Sequence, residues 1–308
     1  MFFKFEKTTA SHISFSILGI KFRIKRSKEK KQESELAKYY KSFNSASEIP
    51  KAEGDLRILQ LANSGFLTLV DKIFEENNLR YWIDFGTLLG AIRHKGFIPW
   101  DDDIDIAMPR EDYEQLISKF ANGFPNYPDL SIEYDNNNRN KCFVKIKYTK
   151  SENIFIDIFP YDYHFSAANT KEERDDLSIK IAKQSKRNIF RNISHTEKLR
   201  QNFKARTKKY ILEGKDFDIN NKPALFMAID FPHKWKNKVY TWDTIFPLKK
   251  IQFEDKFFYA PNSPETILES IYGRYMEIPD DSYPRHSSYM NIPETEKEIL
   301  QNLANINQ

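Results

Sequence analysis

Asp103 and Asp105 are separated by Ile104 and followed by Ile106, an alternation that reads as a half-buried strand with both carboxylates on one face. Like charges so close repel unless a cation lies between them. Asp101 and Asp102 extend the acidic run toward Ile98-Pro99-Trp100. Upstream, Tyr81 to Phe85 is a short run of strand formers broken by Gly86-Thr87. Leu88 to Ile92 then reads as a helix that Thr87 caps. A strand, a glycine turn and a helix N-terminus present free amides and a partial positive charge, which suit a phosphate. A phosphate cradle beside paired carboxylates is the equipment of phosphoryl or nucleotidyl transfer. Acidic runs are usually solvated loops, but the isoleucine alternation and the nearby glycine turn favour the chemical reading.

Two later strands belong to the same chemistry. Ile154 to Asp162 is strongly apolar with Asp157 at its centre, and a lone carboxylate in such a run is costly unless paired. A metal ion shared with Asp103 and Asp105 supplies that partner. Phe143 to Tyr148 places Lys145 and Lys147 on one face and Val144, Ile146 and Tyr148 on the other. With Arg93, these lysines are candidates to neutralise charge as a pyrophosphate bond breaks. Arg110 opens the helix after the acid strand, either aimed at the site or simply exposed. Arg285-His286 is either a phosphate-contacting pair or a surface feature.

Gly86-Thr87-Leu88-Leu89-Gly90, Arg93, Ile98-Pro99-Trp100 and Asp101-Asp102-Asp103-Ile104-Asp105 resemble the LicD family of phosphocholine transferases, with a related core in the fukutin-related proteins. The family is understood as a divergent branch of the polymerase-β-like nucleotidyltransferase fold. Asp157-Ile158-Phe159-Pro160 is similar to a family sequence, and the blocks from Val239 to Pro261 and from Tyr272 to His286 continue the resemblance. Arg274 departs from it, standing where an acid is usual. The resemblance implies an α+β fold, a nucleotidyltransferase-like mixed sheet flanked by helices, with a helical insertion at about 165–235 and a small N-terminal extension. It implies Mg²⁺ or Mn²⁺ on Asp103, Asp105 and Asp157. Gly86, Thr87, Arg93, Lys145, Lys147, Trp100, Arg285 and His286 would bind substrate. The donor would be CDP-choline or a similar CDP-alcohol, and the acceptor a sugar hydroxyl of a glycan or lipid-linked glycan such as lipopolysaccharide or teichoic acid. Asp157, Asp101 and Asp102 remain alternatives for the general base. A quaternary ammonium group would need an aromatic wall, for which Trp82, Trp100, Tyr161 and Trp242 are the residues near the motifs. Two rivals stand beside this reading: a metal-dependent glycosyltransferase using the Asp-x-Asp pair, and a catalytically inactive scaffold of the same fold.

The whole chain sets the frame. Its 308 residues are 30% charged and 15% aromatic, the composition of an ordered globular protein. A net charge of +4 is too slight for a dedicated nucleic-acid binder, and no nucleic-acid partner is expected. The single cysteine, Cys142, excludes an internal disulfide and a thiolate zinc cluster. No stretch has the apolar length of a spanning helix and the N-terminus lacks a signal-peptide pattern, so a cytoplasmic protein is expected. Residues 1–50 read as a separate extension. They hold a β-hairpin around Gly19 and a basic arm of Lys21, Arg23, Lys25, Arg26, Lys28, Lys30 and Lys31. Such an arm is either solvated or attached to the inner membrane face. Residues 51–305 read as the catalytic domain. A helix over Leu56–Asn78 feeds the Tyr81 strand, and strands are expected around Phe246 and Phe253.

Overall fold

The structure is a computed structural model that describes residues 3–9, 12–17, 20–25, 35–134, 143–164, 167–189, 222–227, 238–279 and 292–306. The chain divides into two compact units. The first comprises Met1–Asn44 and Ile278–Tyr283. In it, β1 (Phe3–Thr9), β2 (His12–Ile17) and β3 (Ile20–Lys25) form an antiparallel sheet in that order, followed by α1 (Glu35–Lys41). The hairpin expected around Gly19 is β2–β3, closed by the Ile17–Ile20 pair. Arg26, Lys28, Lys30 and Lys31 of the basic arm lie outside the described residues, as do Cys142, Arg285 and His286.

The second unit, Ser45–Glu277 and Pro284–Gln308, is a mixed sheet flanked by helices, an α+β architecture. Apolar residues at helical spacing produce α2 (Gly54–Glu76), whose middle turns are buried. It leads to β4 (Trp82–Ile83), α3 (Phe85–His94) and β5 (Ile104–Pro109). After α4 (Arg110–Lys119) come β6 (Leu130–Tyr134), β7 (Val144–Tyr148) and the long β8 (Phe155–His164). β5 pairs with β4 antiparallel and with β8 parallel. The other edge of β8 is shared: β7 pairs with its first half and β9 (Ala224–Met227) with its second. Ile104, Ile106, Ile156 and Ile158, all 0% exposed, line one face of this sheet and leave the alternate positions to the site.

Two expectations need correction. The insertion at about 165–235 is helical only in part: α5 (Lys171–Ile189) lies there, but Ala224–Met227 is β9 of the main sheet, paired to β10 (Val239–Tyr240). Its four side chains are all buried, and a strand covered on both faces shows no alternation to read. Phe246 is not in a strand. It follows the short α6 (Trp242–Ile245), and the hairpin comes later as β11 (Lys249–Phe253) and β12 (Lys256–Ala260).

The hairpin ties down the far end of α3. Glu254 at its turn donates its amide to Lys95 O at 2.8 Å. Its carboxylate accepts from Lys51, Arg57 and the Phe97 amide. Burial opposes the charge, but these partners hold the carboxyl down at about 2. The chain then runs through α7 (Pro264–Tyr272) to α8 (Glu294–Ala304), which packs along α2. Among the described residues, no helix is long and apolar enough to cross a membrane.

Candidate active site

The strand–turn–helix unit starts earlier than the sequence suggests. The cap of α3 is Asp84, whose carboxylate accepts the Phe85 amide at 2.9 Å, so the helix begins at Phe85 and not at Leu88. Phe85 sits at φ 44°, a left-handed conformation that a bulky residue rarely adopts. Thr87 is therefore inside the first turn. Its Oγ1 accepts the Asp105 amide at 2.8 Å and clamps α3 to β5. The first-turn amides of Gly86 and Thr87 have no acceptor within the helix, and the Cα of Gly86 faces the carboxylates of Asp101 and Asp105.

Strand register builds the acid cluster. Asp105 faces Asp157 on the parallel neighbour, and Asp157 faces Lys145 on the antiparallel one. The Asp84 amide donates to Asp105 O at 3.0 Å, which continues the row onto the end of β4. Asp84, Asp105, Asp157 and Lys145 thus cross four adjacent strands side by side. Lys145 Nζ lies 2.6 Å from Asp157 Oδ1. Asp84 is fully buried and also accepts the Tyr161 hydroxyl at 2.8 Å, with burial raising its carboxyl to about 6. The Asp105 carboxyl is pushed well above the usual range, first by burial and then by Asp103, Asp157, Asp101 and Asp84.

Residues 101–103 precede β5, so strand alternation does not govern them. Single carboxylate oxygens of Asp101, Asp102 and Asp103 lie within 4.8 Å of one another. Asp101 also reaches the helix: a Cβ on Gly86 would lie 2.7 Å from Asp101 Oδ2 and 3.9 Å from Asp105 Oδ2. Two buried carboxamides on α2 hold this loop. Gln60 Nε2 donates to Asp101 O at 2.8 Å, and Asn63 Nδ2 to Asp102 O at 2.9 Å. Gln60 and Asn63 are buried, at 1% and 0% exposure; in the sequence, two carboxamides three apart on a largely apolar helix were the signal for that role. The donor set is all oxygen, crowded and short of positive charge, which suits a hard divalent cation. Asp101, Asp102 and Asp103 bring carboxylate oxygens close enough to share one ion, and Asp105 and Asp157 continue the acidic row beside them.

Gly86→Ala separates the site from the fold. The new methyl group meets the end of a carboxylate rather than backbone, so the protein stays folded while Asp101 is displaced. Transfer is expected to fall roughly 10- to 100-fold, as for a small misplacement of catalytic groups, with the melting temperature nearly unchanged. Kinetics and thermal melts on one preparation check this.

Other expected site residues are engaged elsewhere. Arg93 is buried and donates to the Tyr275 and Glu277 carbonyls, with Trp100 beneath its guanidinium at 5.8 Å. Both support the end of α3. Lys147 shares a face with Lys145, but its ion pairs are with Glu133 and Glu152. Arg110 makes a two-point contact with the fully buried Asp162. Of the proposed aromatic wall, Trp82 is fully buried against Tyr161, and Trp242 packs on Phe246 and Tyr163. Asp84, Gln60 and Asn63 are the site residues that sequence reasoning missed.

A mixed sheet that sets in-register carboxylates beside the N-terminus of a glycine-bearing helix suits a phosphate next to a divalent cation. Residues 78–184 match the family model described as LicD/FKTN/FKRP, nucleotidyltransferase domain. It is 27% identical over 260 residues to the lipopolysaccharide cholinephosphotransferase LicD of Haemophilus influenzae, covering 75% of this chain and 96% of that protein. It is 31% identical over 107 residues to the human ribitol 5-phosphate transferase FKRP, covering 32% of this chain but only 20% of that protein. An uncharacterized protein of Rickettsia typhi is 48% identical over 52 residues, 16% of this chain and 17% of its own length. The named relatives are phospho-group transferases.

Proposed function

We propose that the protein transfers phosphocholine, or a closely related phospho-alcohol, from a CDP-linked donor to a sugar hydroxyl of a cell-surface glycan, with Mg²⁺ or Mn²⁺ at the acid cluster. The observation that carries this reading is the register of Asp105 beside Asp157, next to the first-turn amides of Gly86 and Thr87. The similarity along 96% of a cholinephosphotransferase supports the choice of group.

The bond that forms joins the acceptor oxygen to the phosphorus bearing the alcohol. The bond that breaks is the pyrophosphate link, and CMP leaves. A divalent cation held by the acid cluster would supply positive charge to offset what gathers on the leaving oxygen. The Gly86 and Thr87 amides hold the phosphate on the helix N-terminus. Lys145 turns from Asp157 toward the leaving phosphate and supplies a positive charge there. The acceptor proton passes to a carboxylate, Asp157 or one of Asp101 and Asp102. Arg93 and Lys147 stand farther back in this scheme: Arg93 is held by the Tyr275 and Glu277 carbonyls with its charge still felt by Asp101, and Lys147 pairs with Glu133 and Glu152.

The test is CMP release by the full chain from CDP-choline, CDP-ethanolamine and CDP-ribitol, with Mg²⁺ and a glycan acceptor. CMP from CDP-choline in preference to the others is expected. No CMP from any donor, or a nucleoside diphosphate released from a sugar nucleotide, overturns the reading.

A further inference from the structure

The side chains flanking Asp157 on its own face are Phe155 and Phe159, since strand positions two apart point the same way. Each lies roughly 7 Å from Asp157 along the strand. Phe159 meets Phe85 with ring centroids 5.0 Å apart, and meets Phe143 at 4.8 Å. Lys145 Nζ lies 3.9 Å from the Phe155 ring centroid and 5.6 Å from that of Phe143. Phe85, Phe159 and Phe143 therefore stack in series beside the Gly86–Thr87 turn, and the Lys145 ammonium links Phe143 to Phe155 on the far side of Asp157. Phe143 and Phe159, at 2% and 8% exposure, back this surface, while Phe85 and Phe155 are partly exposed.

We propose that Phe85, Phe143, Phe155 and Phe159 form the wall that recognises a quaternary ammonium group on the transferred alcohol, a reading that rests on the proposed CDP-alcohol transfer. Three observations converge on it. The surface already holds a cation face-on, the Lys145 ammonium, so its geometry suits cation–π attraction. It adjoins the phosphate position, and choline carries its ammonium only two carbons from the phosphate oxygen. Phe85 is held in the left-handed region at φ 44°, where backbone strain concentrates at functional positions, and its ring is thereby set against Phe159.

The wall also selects. Phenyl rings give a polyol no hydrogen-bond partners, so burying ribitol hydroxyls against them is unfavourable. A primary ammonium is compact and strongly hydrated, and resists moving onto rings. Trimethylammonium is apolar outside and charged within, and fits both features of the surface. When it docks, Lys145 leaves Phe155 and moves to the diphosphate, so the same arrival that fixes the alcohol frees the lysine for charge neutralisation.

The experiment compares wild type, Phe155→Leu, the double variant Phe85→Leu/Phe155→Leu and Phe155→Trp, each checked for native thermal melts. KM for CDP-choline is measured against KM for CDP-ribitol. Saturation-transfer NMR on the N-methyl protons of CDP-choline reports ring contact whether or not turnover occurs. Phe155→Leu is expected to raise KM for CDP-choline relative to CDP-ribitol by about 10-fold, within the range of a cation–π contact. The double variant should lose the N-methyl signal, and Phe155→Trp should keep the choline preference. CMP release by wild type with a choline preference unchanged in both Leu variants overturns the wall and leaves the transfer reading intact. If wild type releases no CMP, the transfer reading falls, and an N-methyl signal equal in wild type and double variant overturns the wall as well.

Discussion

Asp105→Asn is expected to abolish phospho-group transfer, by roughly 10³-fold or more, while raising the melting temperature of the metal-free protein. The two effects have one cause. Asp105 sits at the centre of the acid row, and burial together with Asp103, Asp157, Asp101 and Asp84 disfavours its charged form. In the folded state its carboxyl prefers to be protonated. The penalty is therefore absent below the ordinary aspartate range and grows as pH rises from there toward the raised value. Asparagine keeps the shape and removes both the charge and its penalty. Thermal melts from mildly acidic to neutral pH should show wild type losing ground to the variant as pH rises. Added Mg²⁺ should then stabilise wild type and leave the variant unmoved, because binding to the folded state raises stability by mass action. A variant that is both inactive and less stable would mean that Asp105 is a structural carboxylate.

The second large effect is on stability alone. Gly65 lies in the fully buried middle of α2, where a Cβ would come within 1.9 Å of Leu303 O and 2.8 Å of Leu303 C on α8. Both atoms are backbone, so no side chain can swing aside, and the helices must separate. Their crossing is otherwise secured by Leu300 and Leu303, which are buried, and by the Lys297–Asp55 ion pair at 3.0 Å. Gly65→Ala is expected to cost about 3 kcal/mol, a fall on the order of 10 °C in melting temperature for a domain of this size. At temperatures where the variant remains folded, KM for the donor should hold near the wild-type value, since Asn63 and Gln60 lie on the α2 turn before the clash. Calorimetry and initial rates separate the two readouts. An unchanged melting temperature would refute the tight crossing.

Much of the site was legible because it is local. The isoleucine alternation after Asp103 gave β5, and the isolated Asp157 in an apolar run gave its partner strand. The Gly86-Thr87 pair marked the start of a helix beside the acids, and the structure adds that the missing Cβ leaves room for Asp101 Oδ2. What could not be read depends on pairing between distant strands. Asp84 looks like the tail of a strand in sequence, and becomes a cap and a member of the acid row only because β4 lies antiparallel to β5. Arg93 and Lys147 had the right charge and neighbourhood, but the distant Tyr275 and Glu277 carbonyls hold the first, and Glu152 just after the β7 strand with Glu133 on the paired β6 engage the second. The tryptophans near the motifs drew attention by size, while the rings beside Asp157 are phenylalanines that read as ordinary core. β9 was hidden by its burial on both faces, and the closeness of Asp101 to Gly86 by a loop that precedes β5.

Transfer of this kind needs a divalent cation at the acid row. Electron paramagnetic resonance titration of Mn²⁺ into the full chain with CDP-choline present, for wild type and for Asp105→Asn, measures this directly. Wild type should bind Mn²⁺, release it to excess Mg²⁺, and lose that binding in Asp105→Asn. Equal Mn²⁺ binding by both proteins, or none by wild type, would contradict a metal-dependent transferase centred on Asp105 and Asp157.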